Sequence, residues 1–123
     1  MKPTILSFGN HKPRIAADVF VAHTAAVIGD VEVGEGSGIW FGCTLRGDGN
    51  LIKIGKRTNI QDGTVIHVNH SPEGMERGAH GYATIIGARI TIAFMPTKAR
   101  SCRWQAWIMA RCPMVTSSPI RQA

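Results

Sequence analysis

IAADVFVAHTAAVIGDVEVGEGSGIWFGCTLRGDGNLIKIGKRTNIQDGTVIHVNH, residues 15–70, places aliphatic side chains on a beat of six. Ile15, Val21, Val27, Val33, Ile39, Leu45 and Leu51 follow one another at that interval; after a slip of three residues the beat resumes at Ile54, Ile60 and Ile66. It returns at Ile86 and Ile92. Four residues after a beat stands a small or β-branched residue, as at Val19, Ala25, Val31, Ser37, Cys43, Thr58 and Thr64. Directly after it come Ala16, Ala22, Gly34, Gly55 and Gly87.

A period of six matches neither the 3.6 of an amphipathic helix nor the 2 of a half-buried strand. It marks hexapeptide repeats, in which each short strand gives one aliphatic residue to a shared interior and three hexads close one triangular coil. Glycine and small residues belong at the corners, where a Cβ would strain the backbone. The expected fold is all-β, a parallel β-helix of about four coils, rather than a β-sandwich with turns at glycine.

The chain divides at the places where the beat starts and stops. Residues 1–14 form a polar lead-in with Pro3 and Pro13, residues 15–92 the repeat, and residues 93–123 a tail of another kind. Within the repeat, a loop spans 71–83 and begins SPEGMERGAHGY, whose proline, glycines and mixed charges read as exposed. TIIGARITI, residues 84–92, restarts the beat. At 123 residues one small core is expected, and a solenoid of this length needs its ends capped or a partner subunit.

Composition narrows the function classes. All 14 glycines lie at Gly87 or earlier, and no acid follows Phe94, where Lys98, Arg100, Arg103, Arg111 and Arg121 stand. Nearly all of the formal +6 therefore belongs to the tail. Its charges are scattered and interrupted by Pro96, Pro113 and Pro119, so no nucleic-acid or membrane partner is expected despite Trp104 and Trp107. The tail is expected to be irregular or partly helical, with Trp104, Trp107, Ile108 and Met109 available to cap the last coil. With no apolar leader in the first 14 residues and no spanning run, the expected location is cytoplasmic. Cys43, Cys102 and Cys112 are odd in number, which supports neither a disulfide framework nor a cysteine zinc site. Cys43 falls at a small-residue position of the repeat and reads as buried core.

Two strings carry the candidate chemistry. In WFGCTLRGDGN, Arg46 and Asp48 are two apart and share a strand face, so they can pair with each other or with a neighbouring subunit. In NIQDGTVIHVNH, His67 follows the beat residue Ile66 as Gln61 follows Ile60, with Asp62 beside it and His70 beyond. A histidine displayed near an amide and a carboxylate is equipped to hold a metal and orient its water. A hydrogen-bonded surface histidine is the plainer alternative.

VIGDVEVGEGSGIWFGCTLRGD followed by IGKRTNIQDGTVIHV resembles the γ-class carbonic anhydrase family, within the left-handed β-helix superfamily of hexapeptide-repeat proteins. The resemblance covers residues 15–92. It implies a homotrimer of left-handed β-helices with metal sites between subunits, each built from three histidines. There a zinc- or iron-bound water, deprotonated near neutral pH, attacks carbon dioxide to give bicarbonate. By resemblance Arg46 and Asp48 form the ion pair between subunits, Gln61 and Asp62 belong to the polar network of the site, and His67 is the first metal ligand.

The family pattern places its other two histidines after TIIGARITI, in a Gly-His step and five residues beyond. Ala93 and Phe94 occupy that step here, and Ala99 the third ligand's place. One ligand of three is present, and tetrahedral zinc requires three protein groups plus water. His70 and His80 are the candidates to stand in, though nothing in the sequence fixes their direction. The abrupt loss of beat, glycine and acid after residue 92 is the pattern of a shifted reading frame. Met114-Val115 must be encoded ATG-GTN, which two bases later reads GGT, a glycine. A genuine degenerate extension is the alternative. Three function classes follow: a γ-carbonic anhydrase-like lyase inactive as written, a hexapeptide acyltransferase or thioesterase-like protein, and a non-catalytic trimeric scaffold or remnant.

Overall fold

The computed structural model describes residues 1–71 and 83–93 in full and Trp107–Ala110 as a backbone strand. The described residues are all-β, with no helix among them, and wind into a left-handed parallel β-helix whose three faces each carry four levels, in line with the expected four or so coils. The first face stacks β1 (Thr4–Leu6), the leading part of β4 (Ala26–Val33), the leading part of β6 (Thr44–Ile54) and β8 (Val65–His67). The second face stacks β2 (Arg14–Ile15), the trailing parts of β4 and β6, and β9 (Thr84–Ile86). The third stacks β3 (Phe20–Val21), β5 (Gly38–Ile39), β7 (Asn59–Ile60) and β10 (Ile90–Ala93). All these ladders are parallel. β11 (Trp107–Ala110) joins the outer edge of β10 antiparallel.

The six-residue beat is the physical cause of the winding. Ile5, Val27, Leu45 and Ile66 are partners in one ladder, and Ile15, Val33, Ile54 and Ile86 in the next. Most of these side chains point inward, and Val27, Ile39, Leu45 and Ile60 lose all contact with solvent. Each such burial contributes about 1.5–3 kcal/mol, so the middle coils hold the fold together. The small residues four after the beat form a second interior column. Ser37 Oγ donates to the Gly55 carbonyl at 2.9 Å, Thr58 Oγ1 to the Gly87 carbonyl at 2.8 Å and Thr64 Oγ1 to the Gln61 carbonyl at 2.6 Å. Small hydroxyls fit there because they complete backbone carbonyls, and among the described residues no buried side-chain polar atom is left unpaired.

Glycine is required where coils meet most closely. Gly34, Gly55 and Gly87 follow the beat at successive levels of one corner, and a Cβ on Gly55 would stand 2.6 Å from the backbone of Gly87 and Ala88. Backbone atoms on both sides cannot retreat from it.

Two expectations change. Leu51 is not an interior beat: it is half-buried, while Ile52 and Ile54 fill the core. Val33 pairs with Ile54, so the slip of three is absorbed earlier, between Gly47 and Leu51, where the β4–β6 register shifts. Where the tail was expected to be irregular or partly helical, Trp107–Ala110 is a strand: the open edge of β10 offers a row of backbone partners that a helix would leave unused. Trp104, His80, Ala99 and most of the loop lie outside the described residues.

Candidate functional site at the His67 edge

The alternation of the first face builds this site. Leu45 pairs with Ile66 and both point inward, so their neighbours Arg46 and His67, also paired, stand outward side by side. His67 Nδ1 lies 3.0 Å from the Arg46 carbonyl oxygen. A carbonyl only accepts, so this bond places the ring proton on Nδ1 and leaves Nε2 as the acceptor of the neutral imidazole. Thr84 Oγ1 donates to the His67 carbonyl at 3.1 Å and ties the end of β8 to the start of β9.

Asp48 joins the pair from the bend after Arg46. Its Oδ2 lies 3.3 Å from Arg46 Nη1, its Oδ1 3.5 Å from His67 Nδ1, and the Gly49 amide donates to Oδ1 at 2.9 Å. Partial burial pushes the Asp48 carboxyl up, but the Gly49 amide bond, the Arg46 guanidinium and the His67 ring together outweigh it and hold the group below the usual carboxylate range. Arg46, Asp48 and His67 thus form one charged edge on a rigid sheet. The Arg46–Asp48 pair closes within a single chain.

Gln61 and Asp62 are placed differently. They sit at the corner between the third and first faces, Gln61 half-buried and Asp62 exposed. The Gln61 backbone is heavily used: its carbonyl accepts from Thr64 Oγ1 and, at 3.0 Å, from Cys43 Sγ, while its amide donates to the Ile92 carbonyl at 2.8 Å. Among the described residues, no hydrogen bond or ion pair joins the Gln61 or Asp62 side chain to Arg46, Asp48 or His67. Cys43 is fully buried, and burial pushes its thiol up, which suits an inert core residue and not a nucleophile.

Sequence reasoning missed the shelf beneath the site. Residues 48–51, which carry the insertion, hold the segment leaving β8. Asn50 is fully buried; its Nδ2 donates to Ser71 Oγ at 2.7 Å and its Oδ1 accepts from the Leu51 amide at 2.8 Å. The His70 imidazole packs on Gly49, where a Cβ would stand 2.8 Å from its Nδ1. The slip in the beat was the available signal, since residues that leave a repeat without breaking it must go somewhere. For metal binding, no group of three or more His, Cys, Asp or Glu side chains is gathered among the described residues. Asp48 and His67 alone do not make the donor set of a zinc or iron site.

No protein-family model matches the chain. Among curated proteins it is similar to "Gamma carbonic anhydrase 2, mitochondrial" of Arabidopsis thaliana, 54% identical over 65 residues, covering 53% of this chain and 23% of the relative. It is also similar to "Gamma carbonic anhydrase 1, mitochondrial" of the same plant, 43% identical over 89 residues, covering 72% of this chain and 31% of the relative. Among solved structures it resembles a hexapeptide transferase family protein from Anaplasma phagocytophilum, with a TM-score of 0.61 and 34% identity, covering 74% of this chain and 47% of that one. The chain spans less than a third of the length of these two curated relatives. The coils, the RGD and QDG strings in their register, and these likenesses agree, and the chain belongs to the γ-carbonic anhydrase-like family of hexapeptide-repeat proteins.

Proposed function

We propose that this chain supplies the His67 edge of a γ-carbonic anhydrase-like homotrimer and that, as written, it does not itself hydrate carbon dioxide. The observation that carries the reading is the fixed His67 ring: a backbone carbonyl holds Nδ1, the arrangement typical of metal-ligating histidines, which bind through the other nitrogen. In the family, zinc or iron supplies a hydroxide near neutral pH. The described residues do not fit that ion unaided, because His67 has no second histidine ligand beside it, and Ala93 and Phe94 stand at the family's next ligand step. What the chain's own residues do is orient an imidazole, carry a persistent negative charge at Asp48 and screen it with Arg46. In a trimer the Arg46–Asp48 pair would extend across the subunit boundary, with Gln61 and Asp62 adding polar groups.

The test compares metal content and carbon dioxide hydration in the natural chain and in the variant Ala93→Gly, Phe94→His, Ala99→His. The natural chain is expected to hold no stoichiometric zinc or iron and to show no rate above buffer. The variant is expected to gain metal in a manner that requires His67. Hydration by the natural chain that disappears in His67→Ala would overturn the reading. A second reading, acyl transfer, is favoured by the likeness to the Anaplasma hexapeptide transferase family protein. Release of free thiol from acetyl-coenzyme A by the natural chain would support it in place of the first.

A further inference from the structure

We propose that β11 is a guard strand that stops a second copy of this chain from stacking end to end on the coil finished by β8 and β9. The ladders themselves define how such a stack would form. On the first face Thr4 N–H donates to the Ala25 carbonyl, Ala26 N–H to Cys43 and Thr44 N–H to Thr64, all at 2.9–3.0 Å. Val65 is the next donor in that series, and the acceptor that continues it is the Pro3 carbonyl of a second copy. On the second face Ala16 N–H donates to Val33, Gly34 N–H to Ile54 and Gly55 N–H to Ile86. The Gly87 amide is next, and the Ile15 carbonyl of a second copy continues the row.

The starting end offers apolar surface to such a contact, and the finishing end an aliphatic column that is buried but less completely than in the middle coils. At the starting end Ile5 is 43% and Leu6 52% exposed, whereas Val27, the ladder partner of Ile5, and Leu45 beyond it are wholly buried. At the finishing end Ile66, Ile86 and Ile92 are the beat residues that keep some solvent contact, while those of the middle coils keep almost none. Ile5 of one copy would land on Ile66 of the other, extending the aliphatic column unbroken.

The count of strands decides the outcome. Each face holds four parallel levels: β1, β4, β6 and β8 on the first; β2, β4, β6 and β9 on the second; β3, β5, β7 and β10 on the third. Copies would therefore stack level on level, head to tail, in a contact that never closes. β11 is the surplus strand. It occupies the fifth level of the third face, paired Ile92 to Ile108 and Ala93 to Trp107, where β3 of a second copy would have to lie. Its antiparallel direction ends the parallel series, and an edge already paired offers no template.

The experiment uses the full chain and three forms of it at rising concentration: natural, Ile108→Pro/Met109→Pro, and that double variant with Ile5→Lys. Adjacent prolines remove the β11 amides on both sides of the strand, one of which serves the ladder. Light scattering, electron microscopy and fibre diffraction are the readouts, with circular dichroism confirming retained β-structure. The natural chain is expected to stay at a fixed small mass at every concentration, including the mass of three chains if it trimerises side by side. The double variant is expected to form rods with an axial repeat of about 19 Å, four strands at about 4.8 Å. Ile5→Lys, which puts a charge into the joined column, is expected to abolish them. A double variant that forms no rods, or assemblies that Ile5→Lys leaves intact, would overturn the proposal.

Discussion

Asp48 shows how a single side chain sets the character of the edge. Its carboxyl is held below the usual carboxylate range despite the opposing effect of burial, by the Gly49 amide, Arg46 and His67. A depressed folded-state value means stability that is fully present above the unfolded value, about 3.9, and lost as pH falls through the folded one. Asp48→Asn is therefore expected to lower stability at neutral pH and to flatten its decline between about pH 5 and pH 2, read as denaturant midpoints across that range. For His67, nitrogen shifts in NMR spectra at high pH are expected to show the proton on Nδ1, since the Arg46 carbonyl accepts from it. The majority of the ring in the Nε2–H form would remove the basis for treating Nε2 as a ligand atom. At Gly55 the demand is steric: Gly55→Ala forces a Cβ onto the backbone of the coil above and is expected to cost about 1–3 kcal/mol in chemical denaturation. These residues differ in how visible they were beforehand. Gly55 and the buried Cys43 follow from position in the repeat alone, and so does the outward placement of Arg46 and His67. The charge balance around Asp48 depends on a bend that no periodicity describes.

Among the elements, β6 carries the most information because it departs from the repeat without ending it. Residues 48–51 leave the regular ladder, which resumes at Ile52, and in passing build the shelf on which the exit from β8 rests. The beat placed Leu51 inside, since counting by six cannot show where an insertion is absorbed. The structure leaves it off the column, because Asn50 takes the buried position and satisfies both the Leu51 amide and Ser71. Asn50→Ala removes both contacts from a fully buried site and is expected to cost about 1–3 kcal/mol. Hydrogen exchange over residues 67–71 is expected to quicken in that variant more than exchange in β4 or β5. Equal acceleration everywhere would assign Asn50 to global packing and not to the shelf. The tail strand β11 was illegible for another reason. Its preference is set by the open edge of β10, a partner made only when the coils have formed, so residues 107–110 carry no strand pattern of their own to read.

At the scale of the molecule, about four coils of one repeat make a prism whose sides display chemistry and whose ends must be managed. The prism follows from the beat, because one aliphatic residue per side is enough to close a triangular core. The family followed from RGD and QDG strings set in that beat, and the likeness to γ-carbonic anhydrases agrees with them. What the prism displays is one fixed histidine beside one persistent carboxylate. Whether that edge holds an ion is decided by the metal content of the natural chain after purification with zinc and iron supplied, measured beside His67→Ala. Far less than one ion per chain is expected, with no difference between the two proteins. One tightly held ion per chain, lost in His67→Ala, would contradict this picture and show that ligands beyond the described residues complete the site.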